Sequence, residues 1–285
     1  MFDKFEYMIY GTNSRKKEFN GKCIVAFVDI LGFSNEINNK WDSSEEELFL
    51  RMKKFTKIVN SNISKQIKKV HSEAQRDTYY GCNIMTFSDS IIITYAFNGK
   101  PDKRRFLIGM YYTLYTVSFV WKTALDFNFT VRGGIEFGDM RWDNQVIMGP
   151  AFIGAHELES KIALSSRVIL GDKMSKEVSL ALTDSNNTKR EMRLKRIHNH
   201  LRSLIRPYLF IDYDGKIALT PKTLYMKDIE RDILIQKLVS MQNECTDSKA
   251  RTKYTPLIEA ISNKIRGLSD NDLEIIKNSY ATSTT

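Results

Sequence analysis

Apolar positions along the chain follow two rhythms, short unbroken runs and stripes at steps of three and four, and their order predicts the architecture. Lys22 to Phe33 is a continuous apolar run of the kind a buried strand carries, interrupted by one carboxylate, Asp29. A long helix follows, with Ser43 and Glu46, or Ser44 and Glu47, as a capping box, and Leu48, Met52, Phe55, Val59, Ile63, Ile67 and Val70 as one stripe. Tyr79 to Phe97 reads as two strands joined by a tight turn at Phe87-Ser88-Asp89-Ser90. Pro101-Asp102 opens a second helix with Leu107, Met110, Leu114, Val117, Trp121 and Leu125 on one face. Phe127 to Phe137 is a strand, Gly138-Asp139 begins a turn, and Gln145 to Met148 returns as its partner. Gly149-Pro150 starts a third helix, Val168-Ile169-Leu170 is a short strand with a helix from Asp172, and 208–219 is a hairpin. Hairpins interrupt strict β-α alternation, so the order fits an α+β fold in the ferredoxin-like or palm arrangement. That fold has a mixed, mostly antiparallel sheet with helices on one face. Residues 1–20 read as a polar arm, 21–222 as the sheet domain and 223–285 as a C-terminal helical extension.

Composition narrows the class. The 285 residues are 42% hydrophobic and 27% charged, outside the disordered, collagenous and coiled-coil ranges. No stretch approaches the roughly 20 apolar residues of a membrane span, and the first residues lack the order of a signal peptide. Three cysteines, far apart and without C-x-x-C, support neither a disulfide framework nor a zinc site. These features lead to the expectation of a reduced, cytoplasmic protein with no membrane partner. Of the net charge of +9, six units lie in 189–206, where seven basic side chains face only Glu191. The remainder is close to neutral, which argues against a general nucleic-acid surface. There is no G-x-x-x-x-G-K-[ST] and no H-E-x-x-H.

Asp29 is the sharpest chemical feature, because a carboxylate closing an apolar strand must be paired, hydrogen-bonded or bound to metal. Asp89, sixty residues later, sits at the tip of a second apolar hairpin. In a palm-like sheet the first strand lies beside that hairpin, so the two carboxylates converge at one sheet end. Two-metal phosphoryl-transfer sites use that arrangement. Arg132 lies on the strand face opposite Phe129, Val131 and Gly133, where it serves either as a cation of the site or as a salt bridge within the sheet. Glu157 and Glu159 are further acidic candidates on the third helix.

Five blocks in order, F-V-D-I-L-G-F at 27–33, F-S-D-S-I at 87–91, V-R-G-G-I at 131–135, G-P-A…A-x-x-L-E at 149–159 and R-V-I-L-G-D at 167–172, resemble the class III nucleotidyl cyclases. More narrowly they resemble the bacterial pyrimidine cyclases of the Pycsar anti-phage system, over roughly residues 20 to 220. The resemblance implies that Asp29, Asp89 and the Ile30 carbonyl hold two divalent cations, Mn²⁺ or Mg²⁺. Backbone N–H groups of Gly32, Phe33 and Ser34 would cradle the triphosphate. It further implies a homodimer with sites at the subunit interface, cyclisation of CTP or UTP, with CTP ahead, and a role in defence. Purine cyclases carry a base-reading Lys where this chain has Met85, and Asn and Arg where it has Ile153 and Glu157. Arg132 is therefore the first candidate for the transition-state cation, Arg141 and Arg167 the next, and Tyr80 and Asn83 the candidates for base contact. The 189–206 segment is expected to supply cations near the triphosphate or across the dimer seam.

Overall fold

The computed structural model describes residues 18–73, 81–143, 146–183, 192–220, 228–245, 248–263 and 265–282. Its elements run β1 (Phe19–Leu31), α1 (Phe33–Glu73), β2 (Gly81–Phe87), β3 (Ser90–Ala96), α2 (Lys103–Asp126), β4 (Thr130–Trp142), β5 (Ile147–Met148) and α3 (Pro150–Glu157). After α3 comes a π-helical turn (Leu158–Ile162). Then follow β6 (Val168–Leu170), α4 (Asp172–Thr183), α5 (Met192–Ile205), β7 (Leu209–Ile211), β8 (Ile217–Leu219), α6 (Asp228–Glu244), α7 (Ser248–Thr252), α8 (Thr255–Ser262) and α9 (Asp270–Thr282). The strands form one sheet in the order β2-β3-β1-β4-β6-β8-β7, with β5 on the end of β4. Every pairing is antiparallel except β4 with β6. The expected mixed, mostly antiparallel α+β sheet is what forms.

β1 is apolar throughout because it is central and covered on both faces. Ile24, Ala26, Val28 and Ile30 pack with α1 and α2, whereas Cys23, Val25 and Phe27 pack with Ala151 and Ala155 of α3. Helices therefore flank both faces, and the expectation of helices on one face is corrected. A strand without polar alternation needs a second cover, and short α3 supplies it. The α2 stripe lies in the first layer, with Leu107, Met110, Leu114 and Val117 fully buried. Asp102 caps its first turn, accepting from Arg105 N–H at 2.8 Å.

Several boundaries differ from the sequence reading: β4 begins at Thr130, α3 ends at Glu157, and two others shift further. The helix after β1 starts at Phe33, and Ser44 (φ −148°, ψ 23°) marks a kink inside it, so the capping-box residues stand at the start of the longer, second part of one long helix. Leu48, Phe55 and Val59 of its stripe are buried, while the side chains of Ile63, Ile67 and Val70 lie outside the described residues. β4 runs through Gly138-Asp139 to Trp142 instead of turning there. Residues 19–22 of β1 supply a ladder partner, and Lys22 pairs with Asp139 at 2.8 Å.

The C-terminal helices share the main apolar cluster through Leu238, Leu257 and Leu273. Ser166 N–H donates to the Lys253 carbonyl at 2.9 Å, and Leu268 N–H to that of Leu209 at 3.0 Å. Arg202 and Arg206 of the basic segment pair with Asp270 at the start of α9. These two cations are thus spent on anchoring a helix. Lys189, Arg190 and the side chains of Arg193 and Lys195 lie outside the described residues.

Glu136 in β4 is buried and accepts from the N–H groups of Phe137 (2.7 Å) and Met174 (2.9 Å), the latter in the first turn of α4. Burial raises its pKa above the ordinary carboxylate value, against these two hydrogen bonds and Lys173. A raised folded pKa means that ionised Glu136 costs stability above that pKa, and that the cost vanishes as pH falls below the unfolded value. Relative to Glu136→Gln, the unsubstituted protein should therefore lose stability as pH rises from the unfolded carboxylate range through the folded pKa. Urea titrations of both proteins across that range measure this, and a difference independent of pH would contradict it.

Candidate functional site

The register fixes Asp29 between two rungs, opposite Ser90 of β3 and Arg132 of β4, at the end of the central strand. Its odd number puts it on the α3 face, past Phe27, where that cover thins out. Ser90 Oγ donates to Oδ1 at 3.4 Å and Arg132 Nε to Oδ2 at 3.2 Å. Asp89 stands in the two-residue turn between β2 and β3, where Ser88 adopts φ +54°. Ile30 N–H donates to the Asp89 carbonyl at 3.1 Å, which ties that turn to the end of β1. Strand order and register thus bring the Asp89 turn to the end of β1, beside Asp29.

A third carboxylate joins them. Glu159, on the π-helical turn, places Oε1 2.7 Å from Arg132 Nε and is 3% exposed. In a regular helix, residues two apart point roughly 200° apart, so Glu157 and Glu159 cannot both face the sheet. Glu157 is exposed and pairs with Lys161 at 2.6 Å, leaving Glu159 as the inward one. Sequence pattern does not mark the π turn that sets this choice. Burial raises the Asp29 pKa, and Asp89 adds to the rise against the opposing pull of Arg132. Burial likewise raises Glu159, with Arg132 opposing and both aspartates adding. Among the described residues Arg132 pairs with both Asp29 and Glu159, with Asp89 close by, so carboxylates outnumber the cation paired with them at the sheet end.

The turn after β1 completes the site. Gly32 adopts φ +89°, a conformation that glycine adopts at little cost, and its carbonyl accepts from Glu36 N–H at 3.0 Å as α1 begins. The first N–H groups of a helix have no partners within it, so the amides opening α1 at this turn are unpaired by the helix itself. Phe33 is buried and meets Phe129 edge-on at 6.0 Å, anchoring the turn in the core. Behind it stands Tyr254 of the C-terminal region, whose hydroxyl would lie 3.6 Å from a Cβ at Gly32. Glu36 is held by an ion pair with Arg51, whose guanidinium lies over the Phe129 ring. The Ser34 side chain and all of Tyr80 lie outside the described residues.

The remaining candidates are engaged elsewhere. Asn83 lies four residues along β2 from the Asp29 rung, roughly 13 Å at the rise of a strand. With its amide oxygen turned to Trp142 it accepts from Nε1 at 2.7 Å. Met85 lies between, packed beside Phe27 and Ile92. Arg167 is buried against Asp212 and Asp214, both at 2.8 Å, and Arg141 pairs with Glu18 in solvent. That leaves Arg132 as the arginine of the three at the carboxylates.

Among the described residues, no three His, Cys, Asp or Glu side chains form a preformed metal cage. The donors at the sheet end nevertheless suit a hard divalent cation. They are all oxygen, they are partly buried, and Glu159 Oε1 has no hydrogen-bond donor. Among the described residues no helix is long and apolar enough to cross a membrane.

No protein-family model matches the chain, and no curated protein matches it. Among solved structures it is similar to the adenylyl cyclase CyaB from P. aeruginosa, with 11% identity and a TM-score of 0.43, over 74% of this chain and 99% of that one.

Proposed function

We propose that this chain is a nucleotide cyclase of the class III type, converting CTP, or UTP, to the 3′,5′-cyclic nucleotide and pyrophosphate. The observation that carries the reading is the meeting of Asp29 and Asp89 at the end of β1, beside the Gly32 turn that opens α1. The strand order β2-β3-β1-β4, the order of the ferredoxin-like or palm core, and the five ordered sequence blocks support it further.

In this mechanism Asp29, Asp89 and the Ile30 carbonyl would hold divalent cations, Mn²⁺ or Mg²⁺. When bound, these supply the Lewis-acid charge that favours ionisation of the ribose 3′-hydroxyl and neutralises the leaving group. The N–H groups of Gly32, Phe33 and Ser34 bind and orient the triphosphate. The 3′-hydroxyl gives its proton to water, its oxygen forms a bond to the α-phosphorus, the bond to the bridging oxygen breaks, and pyrophosphate departs with that electron pair. Arg132 contributes positive charge near the developing charge of the transition state. Met85, an apolar side chain where purine cyclases place Lys, fits a pyrimidine. Exposed Phe87 and Ile153, both on the α3 side, provide apolar surface for the second subunit of a homodimer. Within this reading the product is a second messenger of anti-phage defence, made in the cytoplasm.

A second reading has a specific observation behind it. Arg132 is already paired with Asp29, and Ile153 and Glu157 supply neither Asn nor Arg, as a nucleotide-binding sensor without turnover would have it. Incubation with each of the four nucleoside triphosphates and Mn²⁺ separates the two. Cyclic product and pyrophosphate from CTP or UTP are expected. Binding without pyrophosphate release would establish the sensor, and neither binding nor product from any nucleotide would overturn both.

A further inference from the structure

Arg132 has a single Nε–H and two carboxylates competing for it. The hydrogen bond runs to Asp29 Oδ2 at 3.2 Å, yet the closer oxygen, at 2.7 Å, is Glu159 Oε1. That oxygen is buried and receives no hydrogen bond among the described residues. A buried carboxylate beside a guanidinium whose proton points elsewhere is costly, and turning that proton toward it relieves the cost. The wide π turn at Leu158–Ile162 is what holds Glu159 in this position, and such turns recur at functional sites.

Resting on the cation reading of Asp29 given above, we propose that Glu159 is a positioning residue, the alternate seat of Arg132. When a divalent cation takes Asp29, the Arg132 Nε–H passes to Glu159, and the guanidinium stays at the sheet end beside the phosphates. Without Glu159 a displaced Arg132 would be left with Asp29 and Asp89, both committed to the cation. It would then hold on to Asp29 and compete with the cation. Glu159 thus separates two demands that the aspartate cannot meet at once, cation binding and retention of the arginine.

Mn²⁺ affinity measured calorimetrically without nucleotide tests this in a double-mutant cycle of Glu159→Gln and Arg132→Gln. With Arg132 present, Glu159→Gln should weaken Mn²⁺ binding about tenfold, the usual effect of losing an outer partner of a metal ligand. In the Arg132→Gln background the same change should have an effect below threefold. Equal losses in both backgrounds would mean that Glu159 acts on the cation directly, and would overturn the proposal. So would a loss below threefold with Arg132 present. In the unsubstituted protein, the Arg132 ¹⁵Nε–¹H resonance should shift on addition of Mg²⁺ and remain protected from solvent exchange, whereas its loss to exchange would count against the handover. Mn²⁺ affinity untouched by Asp29→Asn would overturn the cation reading and this proposal with it. Affinity lost in Asp29→Asn but insensitive to the cycle would overturn this proposal alone.

Discussion

Asp29→Asn and Asp89→Asn, each alone, should lower cyclic-nucleotide formation by roughly three orders of magnitude, several kcal/mol of lost transition-state stabilisation. For Asp29 the fold should survive the change. Burial and neighbouring Asp89 raise its pKa, so the ionised side chain costs stability above that pKa, and the cost disappears once pH drops below the unfolded value. A neutral isostere removes the cost, and Glu159 remains as a partner for Arg132. In the metal-free protein the melting temperature of Asp29→Asn should therefore hold or rise at neutral pH, with the gain fading toward acid. Turnover and thermal melting on the same preparations check both halves. Near-normal turnover would remove Asp29 from the site. Lost turnover with a melt lowered by several degrees would make it a structural residue instead.

The largest stability effect from adding one methyl group is expected at Gly134. A Cβ there would lie 2.4 Å from the Ala155 carbonyl oxygen and 2.4 Å from Leu158 Cβ. The first of these is helix backbone, which cannot rotate away, so α3 must move as a body. Overpacking of this kind costs about 1–3 kcal/mol, and contact with backbone places Gly134→Ala near 3 kcal/mol. The displaced segment leads directly into the turn that carries Glu159, so turnover should fall as well. Denaturant titration gives the stability change. A midpoint indistinguishable from that of the unsubstituted protein would show that α3 is not seated on β4 as described.

The two predictions draw on different kinds of legibility. The Asp29–Asp89 meeting was readable because each aspartate ends an apolar run, and hairpin order alone brings the runs side by side. Gly134 was readable as part of a motif, but its reason was not, since the close approach involves a helix some twenty residues downstream. β1 carried a double-sided apolar pattern, yet α3 is too short for its own periodicity to announce which face it covers. The extension of β4 to Trp142 depends on residues 19–22 of β1, a partner more than a hundred residues away. Glu159 stayed ambiguous because a π turn has no compositional mark. The charge of the 189–206 segment was visible, but the placement of Asp270 against Arg202 and Arg206 was not.

The position of Tyr254 behind Gly32 bears on where the chain can be cut. A gene fragment ending after β8 retains every strand and both aspartates, and by inspection of the sheet alone would look like a self-sufficient catalytic unit. It would lack the side chain that backs the Gly32 turn and the Lys253 carbonyl that takes the Ser166 amide. It would also leave the Leu209 carbonyl without the Leu268 amide and expose the α4 surface where α9 had packed. Tyr254 is therefore part of the wall behind the Gly32 turn, and a fragment boundary between β8 and α6 would remove it.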